Sequence, residues 1–540
     1  MKTDNQLESN AYDAIVVGAG FAGLYMLHRL RLQGMRVRVF EAGDGVGGTW
    51  FWNCYPGARC DVESMQYSYS FSEEIQQAWV WSERYPRQKE ILKYINHVAD
   101  HLNLRTDIQF NTRVIGGQFQ PNSTTWSVQT SDGQSHTARF LITATGCLSA
   151  SRVPDMPGLD GFKGEWFHTG QWPKTAVDFK GKRVGVIGTG SSGIQLIPMI
   201  AKEAKELVVF QRTPNFSIPA WNRPLSIEEQ DAWKASYAEH RQRARNTRSG
   251  ILYDYSTRAT TEVSKQDRDA EYERRWAKGG ANFTHAFTDI FTNRESNELA
   301  AEFVRNKIRS IVKDPAVADR LTPKDHAIGT KRICVDTDYY STFNNTNVKL
   351  VDIRATPLQE IKPNGIQTSD ALFDLDCIVF ATGYDAVTGA LERLNIQGEA
   401  GQSLKDEWTT GPRTYLGLMT VGFPNLFFIT GPGSPSILTN VIVSIEQHVD
   451  WIARCIQHMN ATQKLKIQAQ APAQEDWVQK VNDLAKNTLF PASDSWYMGA
   501  NVPGKPRVFL PFIGGLGTYT EICEQVIKDG YSGFDLAATH

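Results

Sequence analysis

The stretch VVGAGFAGLY, residues 16–25, returns in outline as VIGTGSSGIQ at residues 187–196. In the first, Gly18, Gly20 and Gly23 stand at GxGxxG spacing between the apolar run DAIVVGAG and the helical pattern FAGLYMLHRLRLQG, and the next apolar run is MRVRVFEA. In the second, Gly188, Gly190 and Gly193 stand at the same spacing between KRVGVIGTG and SSGIQLIPMIAKEA, followed by ELVVFQRTP. Strand, glycine turn, helix and strand in this order predict a parallel βαβ unit. The turn lets the backbone approach a pyrophosphate at the positive end of the helix. The chain is therefore read as α/β, with two Rossmann-like dinucleotide-binding domains.

The two units end differently. The first closes on Glu41, whose carboxylate suits ribose hydroxyls and hence the ADP half of FAD. The second closes on Arg212 and Thr213 with no acid, and a guanidinium there suits a 2′-phosphate, predicting NADPH over NADH. Thr189, Ser191, Ser192 and Gln195, in and just after the second turn, are further candidate contacts. The stretches FLITATG (Ala144, Thr145, Gly146) and IVFATGYD (Ala381, Thr382, Gly383) each end a strand in small residues, as a crossing between two nucleotide domains requires. A nicotinamide would then be the hydride donor and a flavin the carrier.

Between Trp221 and about Lys331 the residues turn charged and helix-forming, which predicts a helical insertion at about 221–330 within the second unit. Strand signals return at NVKLVDI and LDCIVFATGYD. The organisation expected is 1–150 for the first part of an FAD domain, 151–384 for the NADP domain with its insertion, and 385–540 for the second part of the FAD domain.

At 540 residues the chain exceeds a single core. With 57 basic and 59 acidic side chains and no basic stripe, nucleic acid is excluded as a partner. The polar start MKTDNQLESNAYD resembles neither a signal nor a transit peptide. No apolar run is long enough to span a bilayer. Seven cysteines without CxxC spacing point to reduced thiols and a cytoplasmic location. They also argue against a disulfide reductase, because Cys54 and Cys60 are the only near pair. Oligomeric state is not set by the sequence, and a monomer is compatible with it.

The segment FKGEWFHTGQWP narrows the class. Phe162, Gly164, His168, Trp172 and Pro173 match the FxGxxxHxxxWP fingerprint of Baeyer-Villiger monooxygenases. The resemblance continues through GGTWFWNCYPGARCDVES, GTKRICVDTDYY, GPRTYLGL, GFPNLFF, SIEQHVDW and SWYMGANVPGKPR, nearly the whole chain. It lies nearer the phenylacetone-oxidising branch than the cyclohexanone-oxidising one. It implies an enzyme that uses FAD, NADPH and O2 to convert a ketone into an ester or lactone through a C4a-peroxyflavin, and that can oxidise sulfides.

By residue-wise matching, the resemblance makes Arg332 the active-site cation and Asp61 the carboxylate that positions it. Lys331 joins Arg212 and Thr213 at the 2′-phosphate, and Trp496 closes over the nicotinamide ribose. Thr49, Trp50, Trp52, Arg59, Asp61, Tyr67 and Val441 fall at further cofactor positions. Ser436, Ile437, Leu438 and Val441 are candidates for the substrate wall. His168 is implied to couple the domains rather than to make or break bonds. The chain departs from the family pattern at Cys54, where many members carry arginine, and at Val441, where a near member has methionine; the second leaves ketone size open. The flavin enzymes that oxygenate nitrogen or sulfur share both glycine turns, and Arg332, Asp61 and the HTGQWP ending separate them.

Overall fold

The computed structural model describes residues 10–538. Most of the polar start and the last two residues lie outside that range, so the reading of the N-terminus as leaderless falls largely outside the described residues.

Strand β1 (Ala11–Val17), helix α1 (Phe21–Arg31) and strand β2 (Val37–Phe40) form the first unit as read. β1 pairs in parallel with β2 on one side and on the other with β6 (Ser135–Thr143). In the same sheet β3 (Ile108–Gln109) flanks β2, and an antiparallel meander of β4 (Val114–Gln120) and β5 (Thr125–Thr130) runs into β6. Two strands from far along the chain rejoin this sheet. Leu426–Phe428 pairs with β6, and Ile396–Gln397 pairs with β4.

The second sheet is wholly parallel. Its order is Val348–Asp352, then β9 (Glu206–Gln211), β8 (Arg183–Ile187), Cys377–Phe380 and β7 (Glu165–His168). β10 (Ser217–Pro219) lies outside this sheet and pairs with Cys334–Asp336. Helix α2 (Ser191–Ala201) opens from the second glycine turn. Parallel strands buried on both faces explain why Val184, Val186, Leu207, Val209, Ile378 and Val379 run as near-continuous apolar stretches with no solvent exposure. Residues 221–330 carry helices at Ile227–Ala235, Tyr237–Arg245, Lys265–Lys278, Arg294–Ile311 and Pro315–Leu321, with no strand among them.

α1 sits in the larger core. Leu24, Met26, Leu27 and Leu30 are fully buried, each contributing about 1.5–3 kcal/mol relative to exposure. The helix Val441–Ala461 packs on α1, so the late part of the chain closes the first unit's core. Among the described residues no helix is long and apolar enough to cross a membrane.

Candidate active site

The two turns share one steric frame. Gly18 and Gly188 hold φ of +105° and +108°. A Cβ on Gly18 would lie 2.7 Å from the Ala144 carbonyl oxygen, and one on Gly188 would lie 2.5 Å from that of Ala381. Both ATG stretches therefore sit against their glycine turns, immediately past β6 and past Cys377–Phe380. Gly23 and Gly193 approach the turns still more closely, their Cβ positions falling 1.8 and 2.3 Å from the Gly18 and Gly188 oxygens. α1 and α2 start from Gly20 and Gly190 with no side-chain cap, leaving first-turn N–H groups available to a phosphate.

Beside the first turn is a cavity of about 350 Å³ lined by Gly18, Gly20, Glu41, Thr49, Trp52 and Thr145 among others. Glu41 is buried and already committed in part. Its two carboxylate oxygens accept from the Ala19 and Gly43 N–H groups, each at 2.8 Å, so it also braces the glycine loop. Trp50 and Tyr67 do not border this cavity; they form a buried pair in which the indole N–H donates to the phenol oxygen at 3.1 Å. Arg59 is turned to internal partners, Glu83 at 3.6 Å and the Tyr85 carbonyl at 3.3 Å.

At the second turn, the Thr189 hydroxyl donates to the Thr213 carbonyl at 3.0 Å, tying the turn to the end of β9. Arg212 is exposed there. The sequence reading missed a third cation. Arg354, two residues beyond Val348–Asp352, donates to the Thr213 hydroxyl at 2.8 Å and to Asp325 at 2.5 Å. Lys331 belongs to the same cluster: burial holds it below the ordinary lysine value, Asp325 opposes that shift, and Arg212 and Arg354 add to it. Asp325 is itself brought down to about 2, hydrogen bonds from His326 and Arg354 outweighing its burial. The cluster of Arg212, Lys331, Arg354 and Thr213 suits a phosphate monoester.

Gln195 on α2 reaches across to the first unit. Its carbonyl accepts from Tyr55 at 2.8 Å and its amide donates to the Arg59 carbonyl at 3.0 Å. Ser191, the first residue of α2, lies 3.4 Å from the Cys334 sulfur, and Ser192 follows it in the same turn. His168 ends β7, is 1% exposed, accepts at Nδ1 from the Gly170 N–H at 3.0 Å and lies 3.4 Å from Thr382. Burial holds it below the ordinary histidine value, against two backbone hydrogen bonds that favour the cation. His168 thus brings the fingerprint against the second ATG stretch through Thr382.

Asp61 and Arg332, 271 residues apart, meet in a two-pronged ion pair. Nε donates to one carboxylate oxygen at 2.7 Å and an Nη to the other at 2.9 Å, while the second Nη donates to the Ile437 carbonyl at 3.1 Å. Burial pushes the Asp61 carboxyl up, but the charge and hydrogen bonds of Arg332 win and hold it below the usual range. The Asp61 charge holds Arg332 well above its usual value despite burial. Tyr497 stands beside them, pushed up to about 12 chiefly by burial.

The pair borders a second cavity of about 140 Å³, lined also by Arg248, Tyr253, His285, Phe291, Ile437, Leu438 and Phe512. Of the four residues expected at a substrate wall, Ile437 and Leu438 border this cavity. Ser436 and Val441 do not line it. Ser436 is 1% exposed with its hydroxyl 2.9 Å from that of Ser434, and Val441 is the first residue of the long helix. Tyr253, His285 and Arg248 come from 221–330, which the sequence reading took only as an insertion. Trp496 is half-buried with its ring centroid 4.4 Å from that of Tyr497, one step back from the cavity wall. Cys54 and Cys60 are free thiols, Cys54 facing the Trp172 carbonyl at 3.6 Å. Among the described residues no group of His, Cys, Asp and Glu is arranged to hold a metal ion.

Residues 12–221 match the flavin-binding monooxygenase-like family. An acetone monooxygenase (methyl acetate-forming) of Gordonia sp. is 41% identical over 98% of this chain and 100% of its own length. A Baeyer-Villiger monooxygenase of Pseudooceanicola batsensis is 41% identical over 98% of each chain. The solved structure of an oxidized steroid monooxygenase bound to NADP superposes with a TM-score of 0.94 at 51% identity, covering 98% of this chain and 100% of that one. The chain belongs to the Baeyer-Villiger monooxygenases, a class of FAD-dependent flavoprotein.

Proposed function

We propose that this enzyme uses NADPH and O2 to insert one oxygen atom beside the carbonyl of a ketone, giving an ester or lactone, and that it also accepts sulfides. The observation that carries this reading is the Asp61-clamped guanidinium of Arg332 at the wall of the smaller cavity.

The residues present fit both cofactors. The uncapped start of α1, the larger cavity and the Glu41-braced loop would hold FAD, with Thr49 and Trp52 on its border. The start of α2 with Arg212, Thr213, Lys331 and Arg354 would hold NADP. When bound, the flavin supplies activated oxygen and the nicotinamide supplies the reducing hydride.

The protein's own part is electrostatic. Asp61 takes the Nε and one Nη of the guanidinium and the Ile437 carbonyl the other Nη, so Arg332 is fixed before any substrate arrives. It remains cationic at any working pH. A fixed cation there stabilises negative charge developing on the substrate carbonyl oxygen without reorganising at the moment of attack. Trp496, packed on Tyr497, would cover the nicotinamide side and limit water. His168, close to Thr382, would tie the fingerprint to the second ATG stretch.

The test is a panel of aryl, cyclic, steroid and linear ketones with NADPH and isotopically labelled O2, read by product mass. Ester or lactone carrying one labelled oxygen is expected, and Arg332→Ala should remain yellow while losing it. N-oxide formation without any ester, or undiminished ester formation by Arg332→Ala, would overturn the reading.

A further inference from the structure

The smaller cavity holds a second arginine. Arg332 is neutralised by Asp61, the only acid on the cavity wall among the described residues. Arg248 has no such partner. It forms no ion pair among the described residues, and its guanidinium makes one long hydrogen bond, 3.5 Å to the Ile513 carbonyl. The residue is exposed, and the stem of its side chain lies against Gly515, where a Cβ would meet Arg248 Cγ at 3.1 Å. It therefore stands where the cavity opens to solvent.

The neighbours do not offset its charge. His285 stacks on Tyr253 with ring centroids 4.8 Å apart and lies equally close to Tyr255. Burial, and then Arg248 itself, push the His285 imidazole down to about 3, so it is neutral at any working pH. Counting the wall, Arg332 and Asp61 cancel, His285 contributes nothing, and Arg248 leaves one positive charge. The two guanidiniums share no hydrogen-bond partner. A wall with one cation committed to the reacting carbonyl and another uncommitted at the mouth suits a substrate with two oxygenated ends.

We propose that the preferred substrate is a ketone bearing a carboxylate remote from the reacting carbonyl, and that Arg248 is the residue that selects it. This rests on the ketone-oxygenating reading above. Carboxylate and guanidinium pair through two parallel hydrogen bonds, and an arginine not already paired pays no cost in breaking an internal salt bridge to make them.

The experiment compares benzylacetone bearing a para-carboxylate with its methyl ester, which keeps the size and removes the charge, using the FAD-loaded enzyme with NADPH. The readout is the ratio of kcat/KM for the acid to that for the methyl ester. The wild type should favour the acid by about tenfold or more, the worth of one charged hydrogen-bonded pair near solvent. Arg248→Gln should bring the ratio to about one, Arg248→Lys should keep part of the preference, and added salt should erode it in the wild type. A wild type indifferent to the charge, or a preference that survives Arg248→Gln, overturns the proposal while leaving oxygen insertion intact. No oxygen-inserted product from either ketone overturns both.

Discussion

The two glycine turns are nearly the same object, and the residues just beyond them are not. Gly20 and Gly190 share φ of −83° with ψ of −166° and −169°, and each turn is pinned against the alanine of an ATG stretch. Past β2, however, comes a buried carboxylate holding two backbone N–H groups, whereas past β9 comes an exposed guanidinium with two more cations beside it. On the proposed reading, the turn would provide the fit to a pyrophosphate and the residue past the second strand would choose the ribose, so that one frame would serve two cofactors with opposite requirements at the sugar.

The largest effect should come from breaking the frame itself. Gly23→Ala places a carbon 1.8 Å from the Gly18 oxygen, an overlap that backbone has to yield to, costing about 1–3 kcal/mol or more. The protein should purify colourless, whereas Gly193→Ala should purify yellow but fail to oxidise NADPH. Absorbance of the purified proteins and NADPH consumption separate the two, and a yellow, fully active Gly23→Ala would refute the steric argument.

Next in size is the ribose end. Arg212→Ala should raise KM for NADPH by roughly 1.5–3 kcal/mol, on the order of 10- to 100-fold, and change that for NADH little. Equal use of both nicotinamides by the wild type would end the distinction between the turns. Arg354→Ala should act in the same direction but by only about three- to tenfold, because Asp325 already takes part of its charge. A larger effect than that of Arg212→Ala would make Arg354 the principal phosphate ligand.

The smallest effect is a pH dependence. On the proposed reading Lys331 would help hold the 2′-phosphate only while protonated, and burial keeps it below the ordinary lysine value. Selectivity for NADPH should therefore be full at lower pH and decline on the alkaline side sooner than an ordinary lysine would dictate. The ratio of kcat/KM for NADPH to that for NADH, followed upward from about pH 7, checks this, since kcat/KM reports the free enzyme. Lys331→Arg should flatten the profile.

What the sequence disclosed follows the range of the signal. Gly18, Gly20, Gly23 and their counterparts are readable because the motif spans six residues and its strand and helix adjoin it. Arg354 was not readable. Its place beside Thr213 depends on parallel pairing that sets Asp352 opposite Gln211, a register between segments far apart in the chain. Asp61 and Arg332 were named only through a family likeness, since no local pattern joins them. The cavity wall was the least legible. Tyr253 lies in irregular chain and His285 at the end of a short 3-10 turn between the helices of 221–330, where no periodic pattern marks which side chains turn inward, and the Ser436 hydroxyl is engaged by the neighbouring Ser434.

The smaller cavity, at about 140 Å³, is close to the roughly 150 Å³ that holds a single benzene in an engineered protein core. Only a ring-sized fragment of a ketone can be enclosed beside Arg332 at one time. A larger molecule must leave its remainder in the opening, where the walls no longer constrain it. The enzyme should then be strict about shape within a few bonds of the carbonyl and permissive about shape farther out, leaving charge beside Arg248 as the discriminating feature at the opening.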